Sequence, residues 1–202
     1  MNALLVAAMV SAGLGLSGCL DPSGETTMEH APACPVVDVP TLAGDRIRYD
    51  GRGLDIGHVE TQQHIISVTG DCANAKPDRF RRPMTRVRIG LTTQIEGGAA
   101  VPEPGQDDRV ALRIPWFVAV VKNGTILGKK IFYERAPIPA EGQTEVFKTP
   151  LHFIDVPTGG NPHVSTYVIE TGFQLTGPEL DYNRQHLDPA HYERTTEPSP
   201  GQ

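Results

Sequence analysis

Apolar and polar residues alternate with a period of two in several segments of this chain, the pattern of strands buried on one face. Met84 to Ile95 is the clearest case. Thr85, Val87, Ile89, Leu91, Thr93 and Ile95 share one face, with Arg86, Arg88, Thr92 and Gln94 on the other. In Val110 to Lys122, Leu112, Ile114, Trp116, Val118 and Val120 alternate with the rest, and beyond Pro115 both faces turn apolar. That change predicts a strand running from a sheet edge into the core. Asn123-Gly124 follows at once. A type I′ turn needs positive φ at both central residues, which this pair tolerates, so Thr125 to Tyr133 is predicted as the hairpin partner. Lys129-Lys130 interrupts the alternation and predicts a bulge there.

Weaker patterns extend the set. Arg46 to Tyr49 is a short strand candidate, and Val59 to Cys72 a longer one closed by Gly70-Asp71. Residues 73–83 are expected to form a polar loop, with Pro77 and Pro83 inside it. Residues 97–108 form a second such loop. Thr144 to Lys148 and Leu151 to Val156 are strands split by Pro150, and Val164 to Leu175 is the last. Thr176-Gly177-Pro178-Glu179 then places a Thr N-cap three residues before Glu, with Pro in the first turn, which predicts a short helix over about 177–186. Short strands at regular spacing without crossover helices predict an all-β fold. The expected architecture is an antiparallel β-sandwich with a short C-terminal helix. An immunoglobulin-like topology is the default and a barrel the alternative.

The first residues break this pattern. Residues 3–16 are apolar and uncharged, too short a run for the ~20 residues that span a bilayer as a helix. They read as the hydrophobic region of a signal peptide. Leu16-Ser17-Gly18-Cys19 ends the run and resembles the lipobox of a bacterial lipoprotein. The resemblance implies export, cleavage before Cys19, and lipidation of that thiol. Residues 1–18 lack the Lys or Arg usual in such a segment. An ordinary signal peptide with a chance cysteine, or an uncut N-terminal anchor, is the alternative. Leu20 follows the cysteine. Asp at that position retains lipoproteins in the inner membrane of well-studied systems, so Leu20 favours the outer membrane, with the domain facing the periplasm. The expected organisation is a signal peptide at 1–18, a polar tether at 19–33, a sandwich domain at 34–176, the helix at 177–187, and a Pro-rich disordered tail at 188–202.

Composition narrows the class. The net charge of −6 argues against nucleic acid as a partner, since phosphate backbones demand a basic face. With Cys19 assigned to lipid, Cys34 and Cys72 remain, and an even pair in an oxidising compartment reads as one structural disulfide. Chain-entropy arguments give ~4 kcal/mol for a loop of that length. A metal or redox pair is the alternative, without C-x-x-C spacing to support it.

Taken together, several pieces resemble a family of bacterial lipoproteins with a lipobox, one disulfide and a β-sandwich domain. They are the lipobox, Cys34-Pro35, Gly70-Asp71-Cys72, the segment Ile114 to Val121, and Gly172 to Thr176 with Glu179-Leu180 and Tyr182-Asn183-Arg184. The family has no established activity, so the resemblance implies location and fold class but no catalytic residues.

Candidate chemistry is sparse. His58, His64, His152, Asp155 and His163 lack zinc-ligand spacing. No G-x-S-x-G elbow occurs, and Ser67, Ser165 and Ser199 have no recognisable activating neighbour. Neither a catalytic residue, a metal site nor a cofactor beyond the lipid on Cys19 is expected. The one basic concentration is Arg79, Arg81 and Arg82 with Arg86 and Arg88 beyond, able to hold phosphate or carboxylate bidentately, or else paired with the chain's own acids. Trp116, alone in a strand centre, reads as core. The expected function is a lipid-anchored, non-catalytic interaction or structural module of the cell envelope. It would dock an envelope protein, and its oligomeric state is left open. The alternative is a small-molecule or glycan-binding lipoprotein accessory to a transporter.

Overall fold

The computed structural model describes residues 33–102, 111–159 and 165–187. The expected signal peptide with its lipobox, residues 19–32 of the tether and the tail at 188–202 lie outside the described residues. Among those described, nine strands and one α-helix follow in chain order: β1 (Val36–Asp38), β2 (Asp45–Tyr49), β3 (Val59–Ala75), β4 (Met84–Gly97), β5 (Leu112–Lys122), β6 (Thr125–Ala136), β7 (Thr144–Lys148), β8 (His152–Pro157), β9 (Val168–Phe173) and α1 (Gly177–His186). No helix among the described residues is long and apolar enough to cross a membrane.

The strands form two open sheets, one ordered β1-β9-β5-β6 and the other β2-β3-β4, with β7 and β8 both pairing to the far side of β4. The sheets share one core. Val87, Ile89, Leu91 and Ile95 of β4 pack against Leu112, Ile114, Trp116, Val118 and Val120 of β5, with Ile169 and Phe173 of β9. This is the expected all-β sandwich, with the helix after it. It is not a barrel, since each sheet ends in free edges. Nor is the strand order that of an immunoglobulin domain. There, strands distant in sequence alternate within a sheet, whereas β2, β3 and β4 form a plain meander because short hairpin connections keep consecutive strands adjacent. One pair is parallel: β1 lies beside β9, from Val36 opposite Val168 to Asp38 opposite Glu170.

Period-two reading places the core faces correctly. Trp116 and Ile114 are wholly buried, and the β4 face read as apolar is buried throughout. The apolar second face of β5 is buried as well, Phe117, Ala119 and Val121 being at most 9% exposed. Asn123 and Gly124 take φ of 50° and 73°, the conformation that a two-residue hairpin requires.

Three local expectations change. β3 does not stop at Gly70-Asp71. It runs to Ala75 because β4 offers a partner along its whole length, Ala75 facing Met84. Strand β9 is shorter than expected, since Ser165 Oγ accepts from Tyr167 N–H in a local turn that ends the irregular approach. The bulge in β6 sits at Leu127, between the pairs Val121–Ile126 and Val120–Gly128, while Lys129 and Lys130 pair regularly with Ala119 and Val118.

Pro150 splits β7 from β8 as its missing N–H dictates. The break is patched by Thr149, whose N–H donates to Leu91 O at 2.9 Å and whose hydroxyl accepts from Leu91 N–H at 2.9 Å.

Helix α1 is fixed by polar contacts. Its Glu179 carboxylate accepts from the Thr176 N–H at 2.7 Å, half of a capping box. The other carboxylate oxygen receives Arg46 Nε of β2 at 2.9 Å. Burial lowers the Arg46 pKa, and the adjacent Glu179 opposes that shift. Arg46 also donates to the Arg113 carbonyl of β5 at 3.3 Å, so one guanidinium ties both sheets to the helix. Asn183 Nδ2 donates to Leu42 O and Asp45 O at 2.9 and 2.8 Å. Beside this cluster, Arg48 Nε stands 2.8 Å from the buried Glu60 carboxylate, a charge contact without hydrogen-bond alignment.

The Cys34–Cys72 disulfide is present, with Cα atoms 5.6 Å apart. It fastens the segment entering β1 to the far half of β3, bonding the first sheet's edge to the second sheet.

Candidate functional site

The predicted arginines gather near the start of β4, and the protein's own carboxylates claim most of them. In the turn before β4, Asp78 accepts from the N–H groups of Phe80 and Arg82 at 2.9 Å each, and from Arg82 Nε at 2.7 Å. Those bonds, led by the Arg82 N–H, hold the Asp78 pKa below the usual range. The turn folds Arg79 over the exposed Phe80 ring at 4.7 Å and Arg82 at 5.5 Å. Arg81 takes the left-handed conformation, φ 62°. On the outer face of β4, Arg86 grips its cross-strand neighbour Asp155 through both nitrogens at 2.7 and 2.8 Å. Arg88 grips its neighbour Asp71 on the opposite side in the same forked manner. Both aspartates have lowered pKa values, the arginine hydrogen bond being the leading cause in each. The five-arginine patch thus divides. Arg82, Arg86 and Arg88 are paired, while Arg79 and Arg81 have no carboxylate partner among the described residues.

Beside this patch the sandwich is open along one side, where edge strand β6 of one sheet faces edge strand β8 of the other. The bulge at Leu127 decides what β6 presents. A two-residue hairpin without it would pair Val120 with Leu127 and turn Leu127 and Lys129 inward. With it, Gly128 and Lys130 sit opposite the inward residues Val120 and Val118. Lys129 goes outward, its ammonium 4.0 Å from the Phe117 ring centre. Ile126, Leu127, Ile131 and Tyr133 are left exposed on this unpaired edge, as is Phe153 on β8.

One end of the opening is closed. His152 Nε2 of β8 reaches Glu134 Oε1 of β6 at 2.7 Å, joining the two sheets. The His152 ring lies 4.1 Å from Phe132 and 5.4 Å from Trp116. Beyond this plug the edges stay apart, leaving a cleft of about 550 Å³ that reaches Val120, Ile154 and Val156 between the sheets. Lys129, Lys130 and Arg82 also border it. Two smaller clefts of about 250 Å³ lie elsewhere, one beside α1 and one beside the disulfide.

The remaining candidates do not converge. His152 and Asp155 stand three apart on β8 and face opposite sides. His152 turns to Glu134, Asp155 to Arg86. His163 lies outside the described residues, as do Cys19 and Ser199. His58 Nδ1 is 3.3 Å from Asp50, and His64 Nδ1 is 2.6 Å from Asp45. No group of three metal-ligating side chains occurs among the described residues. Trp116 is core, as read, and its indole Nε1 finds no hydrogen-bond partner among the described residues.

Sequence reasoning missed Gly128, Lys130 and the Glu134–His152 bridge. The hairpin itself was visible, but the position of the bulge was not, and a one-residue slip reverses every side chain beyond it. No protein-family model, curated protein or solved structure matches this chain.

Proposed function

We propose that this chain is a lipid-anchored lipoprotein of the cell envelope that acts as a non-catalytic interaction module, docking another envelope protein through the β6 edge. The anchor is the acyl-bearing Cys19, and no other cofactor is invoked. The outer membrane, facing the periplasm, is the assigned location on the strength of Leu20. The observation that carries the interaction role is β6 itself. Twelve residues of edge strand, Thr125–Ala136, expose Ile126, Leu127, Ile131 and Tyr133. The strand carries Lys129, Lys130 and a bulge, devices that keep an edge from pairing indiscriminately, while its N–H and C=O groups beside these apolar side chains still offer a selective partner a place to add. Arg79 and Arg81, lacking carboxylate partners among the described residues, supply a cationic flank for an acidic surface on the partner.

Two measurements test this reading. Metabolic labelling with a radioactive fatty acid should mark the wild-type protein and not Cys19→Ser. A photo-crosslinking residue at Ile131 should give one adduct of defined mass in the living envelope. The same residue at Ile56, exposed on the turn before β3, should not. Absence of label at Cys19, or equal crosslinking from both positions, would refute the proposal.

A further inference from the structure

We infer that the cleft between β6 and β8 binds a single long acyl chain carrying an anionic headgroup. This site depends neither on the anchor nor on a protein docked at the β6 edge.

The argument begins with shape. The two sheets are joined on this side by Glu134 and His152, backed by the Phe132 ring. Past that plug, the inward positions on β6 are Lys130 and then Gly128, which contributes no side chain. A Cβ placed on Gly128 meets no atom of the described residues within 4 Å, so no described neighbour fills that space. The resulting volume, about 550 Å³, is of the size that holds small ligands. Its walls are Val120, Leu127, Phe153, Ile154, Val156 and Tyr167. Val120, Ile154 and Val156 belong to the buried core, so the floor of the cleft is core surface where the two sheets meet. A slender apolar chain fits that geometry. A peptide strand would add to the outside of an edge and leave the interior empty.

Charge fixes the other end of the guest. Lys130 is placed on the inner face of its strand at the mouth of the cleft, where it pairs with Val118 in register. Asp155, the acid beside it and itself on the cleft lining, is gripped by Nε and one Nη of Arg86, and Lys130 attracts it only at longer range. No carboxylate lies within ion-pair distance of Lys130 among the described residues. Arg82 adds a second cation on the same rim, shared with Asp78. A cation at the mouth of an apolar cleft, with its nearest acid already engaged, is complementary to a carboxylate or phosphodiester whose apolar tail enters the cleft. Inward lysines also protect edges from aggregation. That role alone would not require the cavity beside it.

The test uses the full chain with Cys19→Ser, so that no acyl group of its own competes, and cis-parinaric acid as a fluorescent probe. One probe should bind per chain. Gly128→Leu, whose added Cβ meets no atom of the described residues, should weaken binding by about tenfold or more. Lys130→Glu should weaken the probe by a similar factor yet leave displacement by 1-hexadecanol unchanged, because the alcohol has no charge to lose. Unchanged thermal unfolding of both variants shows that the fold is intact. Displacement by palmitate or by lysophosphatidylglycerol supports the site and tells carboxylate from phosphodiester, while displacement by neither overturns it. Undiminished binding to Gly128→Leu would place the chain elsewhere, on residues 1–18 for instance, and refute the cleft. Equal losses for acid and alcohol in Lys130→Glu would refute headgroup recognition.

Discussion

Arg46 Nε and Glu179 Oε1 lie 2.9 Å apart although 133 residues separate them in the chain. Each is about nine-tenths buried. The pair fastens the helix at the end of the domain to a strand near its beginning, and Glu179 caps its own helix with the second oxygen. Removing one partner of a buried pair strands the other charge, at a cost of about 3 kcal/mol or more. Glu179→Gln should therefore lower stability by that order in urea unfolding. Arg46→Met combined with Glu179→Gln should lose much less than the sum of the single changes. Strict additivity would contradict the assigned pairing.

The disulfide closes a loop of 38 residues between the first sheet's edge and β3. Replacing both cysteines by alanine should cost ~4 kcal/mol, or lower the denaturant midpoint accordingly. A reduced wild-type protein should match the double variant. A reduced protein as stable as the oxidised one would show that the bridge constrains nothing.

Acid should weaken the fold in a definite window. Asp50 is held at about 2, first by the Arg52 N–H and then by the Arg52 and His58 side chains. Asp71, Asp78 and Asp155 are lowered as well. Their folded values lie below their unfolded ones, so the unfolded chain takes up protons first as pH falls. The stability they contribute is complete above about pH 5 and is lost progressively as pH drops through the folded values. Thermal midpoints should fall from about pH 5 downward, and Asp155→Asn should flatten part of that slope. A midpoint independent of pH in this range would contradict the pairing.

Gly124 at φ 73° has no Cβ to strain. Gly124→Val should cost on the order of 1–2 kcal/mol through left-handed strain, while Asn123→Gly should be nearly neutral. Equal stability of Gly124→Val and wild type would argue against the turn type.

What the sequence made legible was the periodicity. The core faces of β4 and β5, the Asn123-Gly124 turn, the Pro150 break and the Thr176–Glu179 cap follow from local rules, and the Cys34–Cys72 pairing from a count that sets Cys19 aside. What it hid was relational. Val36 to Asp38 is too short to announce a strand, and β1 exists because β9 offers it a parallel edge. Arg46 looked like one more polar residue on a short strand, and its burial depends on a helix far along the chain. Three arginines of the basic patch are taken by the protein's own acids: Arg88 by Asp71 and Arg86 by Asp155 through strand register, which spacing does not reveal, and Arg82 by Asp78 four residues before it in a local turn. The cleft depends on a bulge at Leu127, two residues from the lysines whose irregularity was visible.

The proposed function rests most heavily on Cys19, and the intact mass of the protein extracted from its native envelope tests it. The account predicts a chain beginning at Cys19, heavier than its residues by a thioether-linked diacylglycerol and an amide-linked acyl group. A mass equal to an unmodified thiol at position 19, with residues 1–18 retained or cut elsewhere, would contradict it.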